Sequence, residues 1–485
     1  MKKTIVAAAA ALAILLPILA VICVSFLLPP QFDNLFTAAV CDKIERLESV
    51  DEPKVVVIGG SSTAFGLRSD MLEAELGMPV VNLGVYASLG TKLMLDVSRG
   101  YIGEGDVVVI APELDAQTYS LFFSMYDTLQ GFDGNFKYLR LVAKEDMAKL
   151  KGAIWKFSSS KLSYMFKGKP DPAGVYNRAS FNEYGDISYE RPYNTMMLGY
   201  DPDGMISFDY ETVVSDEFIE YILDFSAECA KNGARVYFSF APMNSLALED
   251  GTTQKDIYDF YTKLNEALSP KEEGGEAVIK VISSPSAYVI DSAYFFDTNT
   301  HLNDAGAILR TARLASDIKR EMGITTPTSI KIPPKPEKPV EPTGDEWITE
   351  GQTDPEAFIL SEQGDIYVIS GVSEAAKELT EIIVPTYYNG KRITVIGKGA
   401  FAGCGKLKTV TVPSGIMQIS GGAFEGCPSL KSIRLLTESA DALTVGDELM
   451  IGAPNDCKII LVNADISDFN NHYYWSKYAN RMKEE

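Results

Sequence analysis

The sequence predicts an α/β fold of three layers, a parallel sheet with helices on both faces, followed by a small C-terminal solenoid. Three observations lead to this prediction. Between residues 54 and 323, short apolar runs alternate with amphipathic segments, which is the pattern of βαβ units. A proline-rich stretch then ends the alternation. Beyond it a segment repeats after 23 residues, a period typical of solenoid coils that bury their apolar positions only against their neighbours.

The chain opens with a candidate membrane segment in residues 1–30. Two lysines precede an uncharged run of residues 4–28, which is long enough to cross a bilayer. Because positive residues stay on the cytoplasmic side, we expect a single-pass anchor in the cell membrane, with everything after Pro30 outside the cell. A cleaved signal peptide and lipidation of Cys23 are alternative interpretations of the same signals.

Residues 31–323 are predicted to form the α/β domain. Its strand-like runs are KVVVIG, PVVNLG, DVVVIAP, RVYFSFAP and AVIKVIS. Amphipathic helical segments alternate with these strands, and the last of them is GAILRTARLASDIKREMG. In such a sheet, ligands bind at the carboxyl ends of the strands.

An insertion interrupts this domain between about 117 and 213. It is rich in Tyr, Phe, Ser and Gly and includes NRASFNEYGDISYERPYN. Because an insertion with this length and aromatic content is seldom a disordered tail, we expect it to form a lid or a binding wall. A structural elaboration with no ligand role is the alternative.

Residues 324–345 are predicted to be an extended, semi-rigid spacer, because this stretch is rich in proline. Residues 346–485 follow as a repeat domain. In it, VIGKGAFAGCGKLKTVTV and ISGGAFEGCPSLKSIRL superpose, so that Phe401 matches Phe424. Their shared AFxGCxxLKxV pattern resembles the leucine-rich repeats of the bacterial surface-antigen type.

The same superposition matches Cys404 with Cys427 and Val410 with Ile433. Equivalent repeat positions predict a buried stack of small residues for the two cysteines, rather than a catalytic or redox pair. The final segment, FNNHYYWSKYANRM, is expected to cap the last coil and contains His472.

Composition excludes several classes of function. The formal net charge of -22 repels phosphate backbones and anionic headgroups, so no nucleic-acid partner is expected and electrostatic membrane binding is a poor hypothesis. Six cysteines in 485 residues are too few for a disulfide scaffold, and neither they nor the two histidines have metal-ligand spacing. We therefore expect no metal or other cofactor.

Two strand ends carry candidate catalytic groups. The first strand runs into VVVIGGSSTAFG, which places the Ser61 hydroxyl at the carboxyl edge of the sheet, beside helix amides that can hold an anion. A helix-capping serine is the alternative. The second strand ends in VVNLG, where the Gly84 amide can approach an oxyanion because glycine has no Cβ. A tight turn is the alternative there.

A third block, DTNTHLNDAG, contains Asp297 and His301 ahead of the final helix. An aspartate close to a histidine can fix its tautomer, and the histidine can then accept the proton of a serine. His301 is the only histidine of the predicted α/β domain, which makes it the candidate general base.

Together these blocks resemble the SGNH (GDSL-like) hydrolase superfamily over roughly residues 54–323. IGGSST is similar to its GDS block, with Gly60 where the family has aspartate. NLG is similar to the block whose glycine donates to the oxyanion, and DTNTHLN to the terminal Asp-His block. The anchor and the last block are also similar to exported SGNH-like proteins that move acyl groups on cell-surface polymers.

The resemblance implies a flavodoxin-like sheet and an acyl-enzyme mechanism that needs no cofactor. Ser61 would be the nucleophile, His301 the base and Asp297 its partner. The backbone amides of Ser61 and Gly84 would form the oxyanion hole.

Two positions depart from the family pattern. Glu113 stands in VVVIAPELD where the family has an asparagine that donates to the oxyanion, and an ionised carboxylate cannot donate. Glu113, together with Asn82 of the NLG block, is therefore a candidate for substrate binding, for example of a cationic or hydroxylated group. The spacing between Asp297 and His301 is four, against three in the family.

These inferences predict an exported, membrane-anchored serine esterase or O-acyltransferase acting on acylated cell-surface polysaccharide or glycan. The alternative is a non-catalytic surface adhesin with a degenerate SGNH scaffold, whose repeats bind a protein or other ligand. The expected partners are accordingly a glycan, a protein at the repeats and the membrane at the N-terminal helix.

Overall fold

The computed structural model describes residues 16–170, 176–269, 277–337 and 349–485, apart from the single residues 365, 447, 463 and 473. The described chain divides into two compact units. The first contains the residues up to 337 except 195–204, and the second contains residues 195–204 and those from 349 onwards.

The first unit is built on a parallel sheet, as the sequence predicts. Its strands pair in the order β2-β1-β3-β4-β6, and Val55 of β1 lies opposite both Val80 of β2 and Val107 of β3. The valine and isoleucine runs of β1 and β3 are wholly buried because helices cover both faces of the sheet. A further short pair, β5 with β7, lies apart from this sheet. The strands of this unit are β1 (Val55–Ile58), β2 (Val80–Asn82), β3 (Val107–Ile110), β4 (Arg235–Phe238), β5 (Met243–Asn244), β6 (Lys280–Val281) and β7 (Val289–Ile290).

Helices connect these strands, and several begin at a side-chain cap. Asn303 caps α11 by accepting a hydrogen bond from Gly306 N, and Ser215 caps α9 by accepting one from Phe218 N. The helices of this unit are α1 (described over residues 16–27), α2 (Ala39–Ser49), α3 (Ser61–Gly66), α4 (Ser69–Leu76), α5 (Gly90–Ser98), α6 (Met125–Gly131), α7 (Leu150–Lys167), α8 (Tyr210–Val213), α9 (Asp216–Lys231), α10 (Gln254–Leu268) and α11 (Asp304–Glu321).

The predicted anchor lies partly outside the described residues, because residues 1–15 are not among them. Within the residues that the structure describes, no helix combines the length and the apolar character needed to span a bilayer.

Most strands of the second unit pair in parallel, while β8 with β9 and β11 with β12 pair antiparallel. One sheet has the order β10-β13-β15-β17-β18 and the other β16-β14-β12-β9-β8, with β11 paired to β12. The hairpin of β8 and β9 opens the unit. Its elements are β8 (Phe358–Gln363), β9 (Ile366–Val372), β10 (Glu381–Ile383), β11 (Tyr387–Tyr388), β12 (Lys391–Ile396), β13 (Thr409–Val412), β14 (Gln418–Ile419), β15 (Ser432–Leu435), β16 (Thr444–Val445), β17 (Lys458–Leu461), α12 (Ile466–Asn471) and β18 (Met482–Glu484).

The sequence repeat is visible as a physical repeat in this unit. Val410 lies opposite Ile433 in neighbouring parallel strands, as the superposition predicts. Two phenylalanine rings of successive coils stack with centroids 5.2 Å apart and planes 2° apart, those of Phe401 and Phe424. The matching cysteines of the two coils are buried and unbridged. Burial raises the pKa of Cys427 to about 12, so this thiol is a packing group and not a reactive one.

The last coil is closed by aromatic residues. Trp475 is fully buried, contacts Phe469 with ring centroids 5.3 Å apart and donates from Nε1 to the Leu443 carbonyl at 2.9 Å. This arrangement protects the apolar end of the solenoid from water, as a terminal cap must.

Candidate functional site

The turn that presents Ser61 is a sharp connection between β1 and α3. Ser61 is the first residue of α3 and only 7% exposed. A side chain at either preceding glycine would displace its neighbours, because a Cβ at Gly59 would lie 2.2 Å from Thr63 Oγ1 and one at Gly60 would lie 2.7 Å from the Glu113 carboxyl group. The Gly-Gly pair therefore allows the strand to turn directly into the helix at Ser61.

His301 is held by the loop that precedes α11. Its backbone amide donates to Thr298 Oγ1 at 3.0 Å, and its carbonyl accepts from Phe296 N at 2.9 Å. Asn303 donates to the carbonyls of Ala293 and Phe295 while it caps α11. These bonds fix the loop, and through it the direction of the imidazole.

The structure brings Ser61, His301 and Asp297 into one hydrogen-bonded row. His301 Nε2 lies 2.8 Å from Ser61 Oγ, across a sequence separation of 240 residues, and His301 Nδ1 lies 2.9 Å from Asp297 Oδ1. With its proton on Nδ1 facing the aspartate, the imidazole has a free lone pair on Nε2 to accept the serine proton. This geometry suits a serine nucleophile with its general base.

An aromatic ring holds the imidazole flat. The Phe65 ring, one turn along α3 from Ser61, stacks on His301 with centroids 3.9 Å apart and planes 1° apart. Because Phe65 is fully buried and its ring covers one face of the imidazole, His301 has little freedom to rotate away from Ser61. Nothing in the sequence motif points to this role for Phe65.

Tyr176 is a second residue that the sequence motifs do not reveal. Its hydroxyl donates to Asp297 Oδ2 at 2.6 Å and lies 3.2 Å from His301 Nδ1. A hydrogen bond to one carboxylate oxygen leaves the other oxygen directed at the imidazole. Tyr176 belongs to the insertion, and only the aromatic content of that segment hinted at a part in the site.

Apolar residues of the insertion and of neighbouring elements pack beside Tyr176. They form a cluster, here called the aromatic wall, that connects the insertion to α3 and to the loop of His301. The wall consists of Phe36, Phe65, Tyr86, Tyr176, Phe181, Ile187, Tyr189 and Phe296. The wall and the loop leave His301 only 5% exposed.

Glu113 contacts the nucleophile turn directly. One carboxyl oxygen, Oε1, accepts from Ser62 N at 2.6 Å and lies 3.2 Å from Ser61 Oγ. Glu113 is itself buried, and this burial raises its pKa. The chain thus places a carboxyl group with a raised pKa on the backbone amide that follows Ser61.

Gly84 and Asn82 are bonded to each other. Gly84 N donates to Asn82 Oδ1 at 2.7 Å, and Asn82 Nδ2 donates to the Thr63 carbonyl and to Asp186 Oδ1. Asn82 is fully buried. As folded, the Gly84 amide is engaged with Asn82 in place of an open oxyanion position, and Asn82 has no face toward a substrate. The pair acts as a brace for the β2 loop, and its predicted roles would require this bond to open.

Arg310 of α11 contacts the turn between β1 and α3. It is 1% exposed and donates from Nη1 to the Ser62 carbonyl at 2.7 Å. Burial lowers the pKa of Arg310 to about 10, which still leaves it charged at neutral pH. Across the described part of the chain, no cluster of three or more His, Cys, Asp or Glu side chains could hold a metal ion.

Comparison with known families concerns the second unit. The BspA type leucine-rich repeat region matches residues 375–445 in six copies. Residues 375–445 carry leucine-rich repeats. The prediction of repeats of the bacterial surface-antigen type is confirmed over this range. No curated protein matches the chain.

Three solved structures with likeness to the chain are also leucine-rich repeat proteins. A leucine rich cell surface protein from Faecalibacterium prausnitzii is 18% identical over 22% of this chain and 32% of its own, with a TM-score of 0.17. The T. pallidum leucine rich repeat protein is 14% identical over 23% of this chain and 71% of its own, with a TM-score of 0.17. One from Bacteroides ovatus is 22% identical over 23% of this chain and 37% of its own, with a TM-score of 0.15. The chain thus spans about a third of the first of these proteins.

Proposed function

We propose that this chain is a cell-surface serine esterase or O-acyltransferase of the SGNH type, with repeats that bind a surface ligand. The observation that carries the catalytic part is the unbroken row of Ser61, His301 and Asp297, with contacts of 2.8 and 2.9 Å. A degenerate scaffold would have no need to keep three side chains from distant elements in hydrogen-bond contact.

The proposed reaction proceeds through an acyl-enzyme. Ser61 Oγ attacks the acyl carbonyl carbon while His301 Nε2 takes the hydroxyl proton, and Asp297 stabilises the imidazolium. The tetrahedral intermediate collapses, the ester C–O bond breaks, and His301 returns its proton to the leaving alcohol. Water or an acceptor hydroxyl then attacks the acyl-enzyme with the same base, which gives hydrolysis or transfer respectively.

The strand order supports the SGNH assignment. The order β2-β1-β3-β4-β6 is that of flavodoxin-like sheets, which bind ligands beyond the carboxyl ends of the strands where the order reverses. Ser61 follows β1 and Glu113 follows β3, so both lie at this reversal point. An acylated polysaccharide or glycan is the substrate class that the resemblance implies, and the aromatic wall offers apolar surface to a sugar ring.

Surface binding by the repeats is the second candidate function, and the comparisons favour it. The family match and the solved structures all fall on leucine-rich repeats, and one of those proteins is described as a cell surface protein. None of them bears on Ser61. We further propose that residues 1–30 anchor the chain in the membrane with both units outside, because residues 4–28 are uncharged and follow two lysines.

A fluorophosphonate probe tests the catalytic proposal, since it reacts with activated serines. Mass spectrometry of the labelled protein is expected to locate the adduct on Ser61, and Ser61→Ala and His301→Ala are each expected to abolish it. Ser62→Ala is the matched control, because Ser62 neighbours the nucleophile but does not contact His301; it should label normally. A folded wild-type protein that stays unlabelled would leave surface binding as the function.

A further inference from the structure

The helix α7 stands out by its charge. Residues 147–170 contain no acidic residue, whereas the whole chain carries a net charge of -22. Because exposed charges are screened beyond about 10 Å in salt, a membrane surface near α7 would respond to this local charge and not to the total. The lysines of this stretch are Lys149, Lys151, Lys156, Lys161, Lys167 and Lys169.

Half of these lysines are already engaged with acidic groups. Lys161 is buried against Asp133, Lys149 pairs with Asp146 at 3.0 Å, and Lys169 pairs with Asp33 at 2.7 Å. The others are exposed. Lys156 lies over the Tyr126 ring, 4.1 Å from its centroid.

Lys151 and Lys167 form no ion pair with any residue that the structure describes. Their ammonium groups are therefore available to an external anion. Phosphate headgroups of a bilayer are the anions that basic amphipathic helices most often meet.

The exposed side of α7 is also apolar. Trp155 is 47% exposed, Met165 46% and Phe166 80%. Trp155, Leu162 and Phe166 follow one another at intervals of seven and four, so they lie along one face of the helix. The opposite face packs into the unit through Ala153 and Phe157. An apolar stripe with exposed aromatic residues, flanked by lysines, is the composition of a helix that lies in the membrane interface.

The position of α7 brings it to the end of the proposed anchor. Ser25 Oγ donates to Ser158 Oγ at 2.8 Å, and Lys161 Nζ donates to the Leu28 carbonyl at 3.0 Å. The Phe26 and Phe157 rings contact each other with centroids 5.8 Å apart. α7 is thus fixed to the last residues of the apolar run.

The length of that run sets the depth of this contact. The uncharged run of residues 4–28 is longer than the roughly 20 residues that cross the hydrocarbon core of a bilayer. Ser25 and Leu28, at the end of the run, would therefore lie at the headgroup level. The part of the run that the structure describes presents exposed apolar side chains, among them those of Leu16, Leu19, Val24 and Leu27.

We propose that α7 is a second membrane contact, which lies in the headgroup layer of an anionic bilayer beside the anchor. Trp155, Leu162 and Phe166 enter the boundary between headgroups and acyl chains, and the exposed lysines contact lipid phosphates. This inference rests on the proposed anchoring of residues 1–30, and it adds a contact that limits how the first unit turns about its tether.

Fluorescence quenching by brominated phosphatidylcholine tests the proposal on the full-length chain reconstituted in vesicles of phosphatidylcholine and phosphatidylglycerol. The signal of Trp155 is the difference between the wild type and Trp155→Phe, a change that keeps the helix apolar. We expect brominated lipid to reduce this difference signal about twofold or more, and vesicles without phosphatidylglycerol to weaken the effect.

Two further tryptophan variants extend the test beyond position 155. In the Trp155→Phe background, Phe166→Trp on the same face is expected to be quenched as well. Tyr258→Trp is the matched control, because Tyr258 is 65% exposed on α10, and its new tryptophan should not respond to brominated lipid.

Each outcome decides the proposal. If the protein floats with the vesicles but the fluorescence of Trp155 is quenched only by iodide in the aqueous phase, the α7 contact is overturned and the anchor stands. If the protein fails to float with the vesicles, both proposals are overturned. Fluorophosphonate labelling of the same sample reports on the catalytic proposal separately, so failure there has no bearing on α7.

Discussion

Gly60 and Glu113 both stand beside Ser61, and both differ from the SGNH pattern that the sequence resembles; in the fold they are complementary in space. A Cβ on residue 60 would lie 2.7 Å from Cδ and from both carboxyl oxygens of Glu113. The space beside Ser61 therefore holds the carboxyl group of Glu113, from the loop after β3, because residue 60 has no side chain. In the sequence the two positions are separate differences from the pattern; in the fold the carboxyl group occupies the space that a side chain at residue 60 would take.

Exchanging both residues tests this complementarity. Gly60→Asp alone should displace Glu113 and slow fluorophosphonate labelling of Ser61 by about tenfold or more, whereas Gly60→Asp with Glu113→Asn, which restores the family pattern, should regain most of the rate. Labelling rates of the four proteins form a double-mutant cycle, for which we expect a coupling of at least about 1 kcal/mol. Additive effects would show that the two residues act independently.

Burial of Glu113 gives a pH-dependent stability. Its raised pKa means that the folded chain keeps this proton at pH values where the unfolded chain has lost it. The free energy of unfolding therefore falls as pH rises from the ordinary value of 4.5 through the folded pKa.

Glu113→Gln removes this dependence while an amide oxygen can still accept from Ser62 N. At each pH the difference in melting temperature, variant minus wild type, is measured. This difference is expected to be about 2–4 °C larger at pH 8 than at pH 5. Glu220→Gln, at an exposed position of α9, is the control. An equal difference at both pH values would contradict a buried titrating carboxyl group.

Tyr176 is predicted to position Asp297 rather than to take part in the chemistry. Removal of its hydroxyl in Tyr176→Phe leaves Asp297 freer to turn, so the labelling rate of Ser61 should fall about tenfold, against about a thousandfold or more for Asp297→Asn, which disturbs the tautomer itself. The pH profile of labelling distinguishes this role from mere packing, since a change in the Asp297–His301 contact shifts the midpoint. An unshifted profile with full activity would remove Tyr176 from the site.

At the scale of elements, local pattern and structure agree best where an element is buried by its own neighbours. The strands β1, β3 and β4 and the helices α9 and α11 coincide with the runs that predict them, because a strand buried on both faces must be apolar throughout and a helix on its surface must be amphipathic. The hairpin of β8 and β9 and the helix α7 were not foreseen. Their sequences are mixed in character, and contacts from distant parts of the chain decide their conformation.

The stacked coils of the second unit make a definite prediction about stability. Phe424 is fully buried and stacks on Phe401, so Phe424→Ala should lower the free energy of unfolding of this unit by about 3–5 kcal/mol. Denaturant titration followed through the fluorescence of Trp475 measures it, in a background where the other two tryptophans are replaced by Trp155→Phe and Trp347→Phe. Glu425→Ala, at the next and exposed position, should change it by less than about 0.5 kcal/mol. Equal effects would contradict a ladder of buried rings.

At the scale of the whole molecule, the chain consists of an apolar N-terminal run, followed by an α/β unit and a repeat unit. The net charge of -22 argues against general attraction to membranes, while α7 concentrates positive charge next to that run. Charge summed over a chain describes solubility and long-range steering, whereas a surface contact depends on the charges within a screening length of it.

The proposed topology predicts which parts of the chain are open to attack from outside. Protease added to right-side-out spheroplasts should digest both units and spare only the N-terminal segment, because positive residues hold the start of the chain in the cytoplasm. A cytoplasmic protein that survives the treatment is the control for intact membranes. Protection of both units until lysis would contradict an exported chain.

The sequence by itself determined the parallel α/β domain, the leucine-rich repeats and the identity of Ser61, His301 and Asp297 as candidates, because periodicity, repeats and short motifs are local properties. Only the tertiary structure decided how these residues are supported. It supplied Tyr176 from the insertion, joined Gly60 to Glu113, and engaged the Gly84 amide with Asn82. Such contacts depend on which distant backbone groups share a buried site, and each buried polar group there must find its partner within the fold.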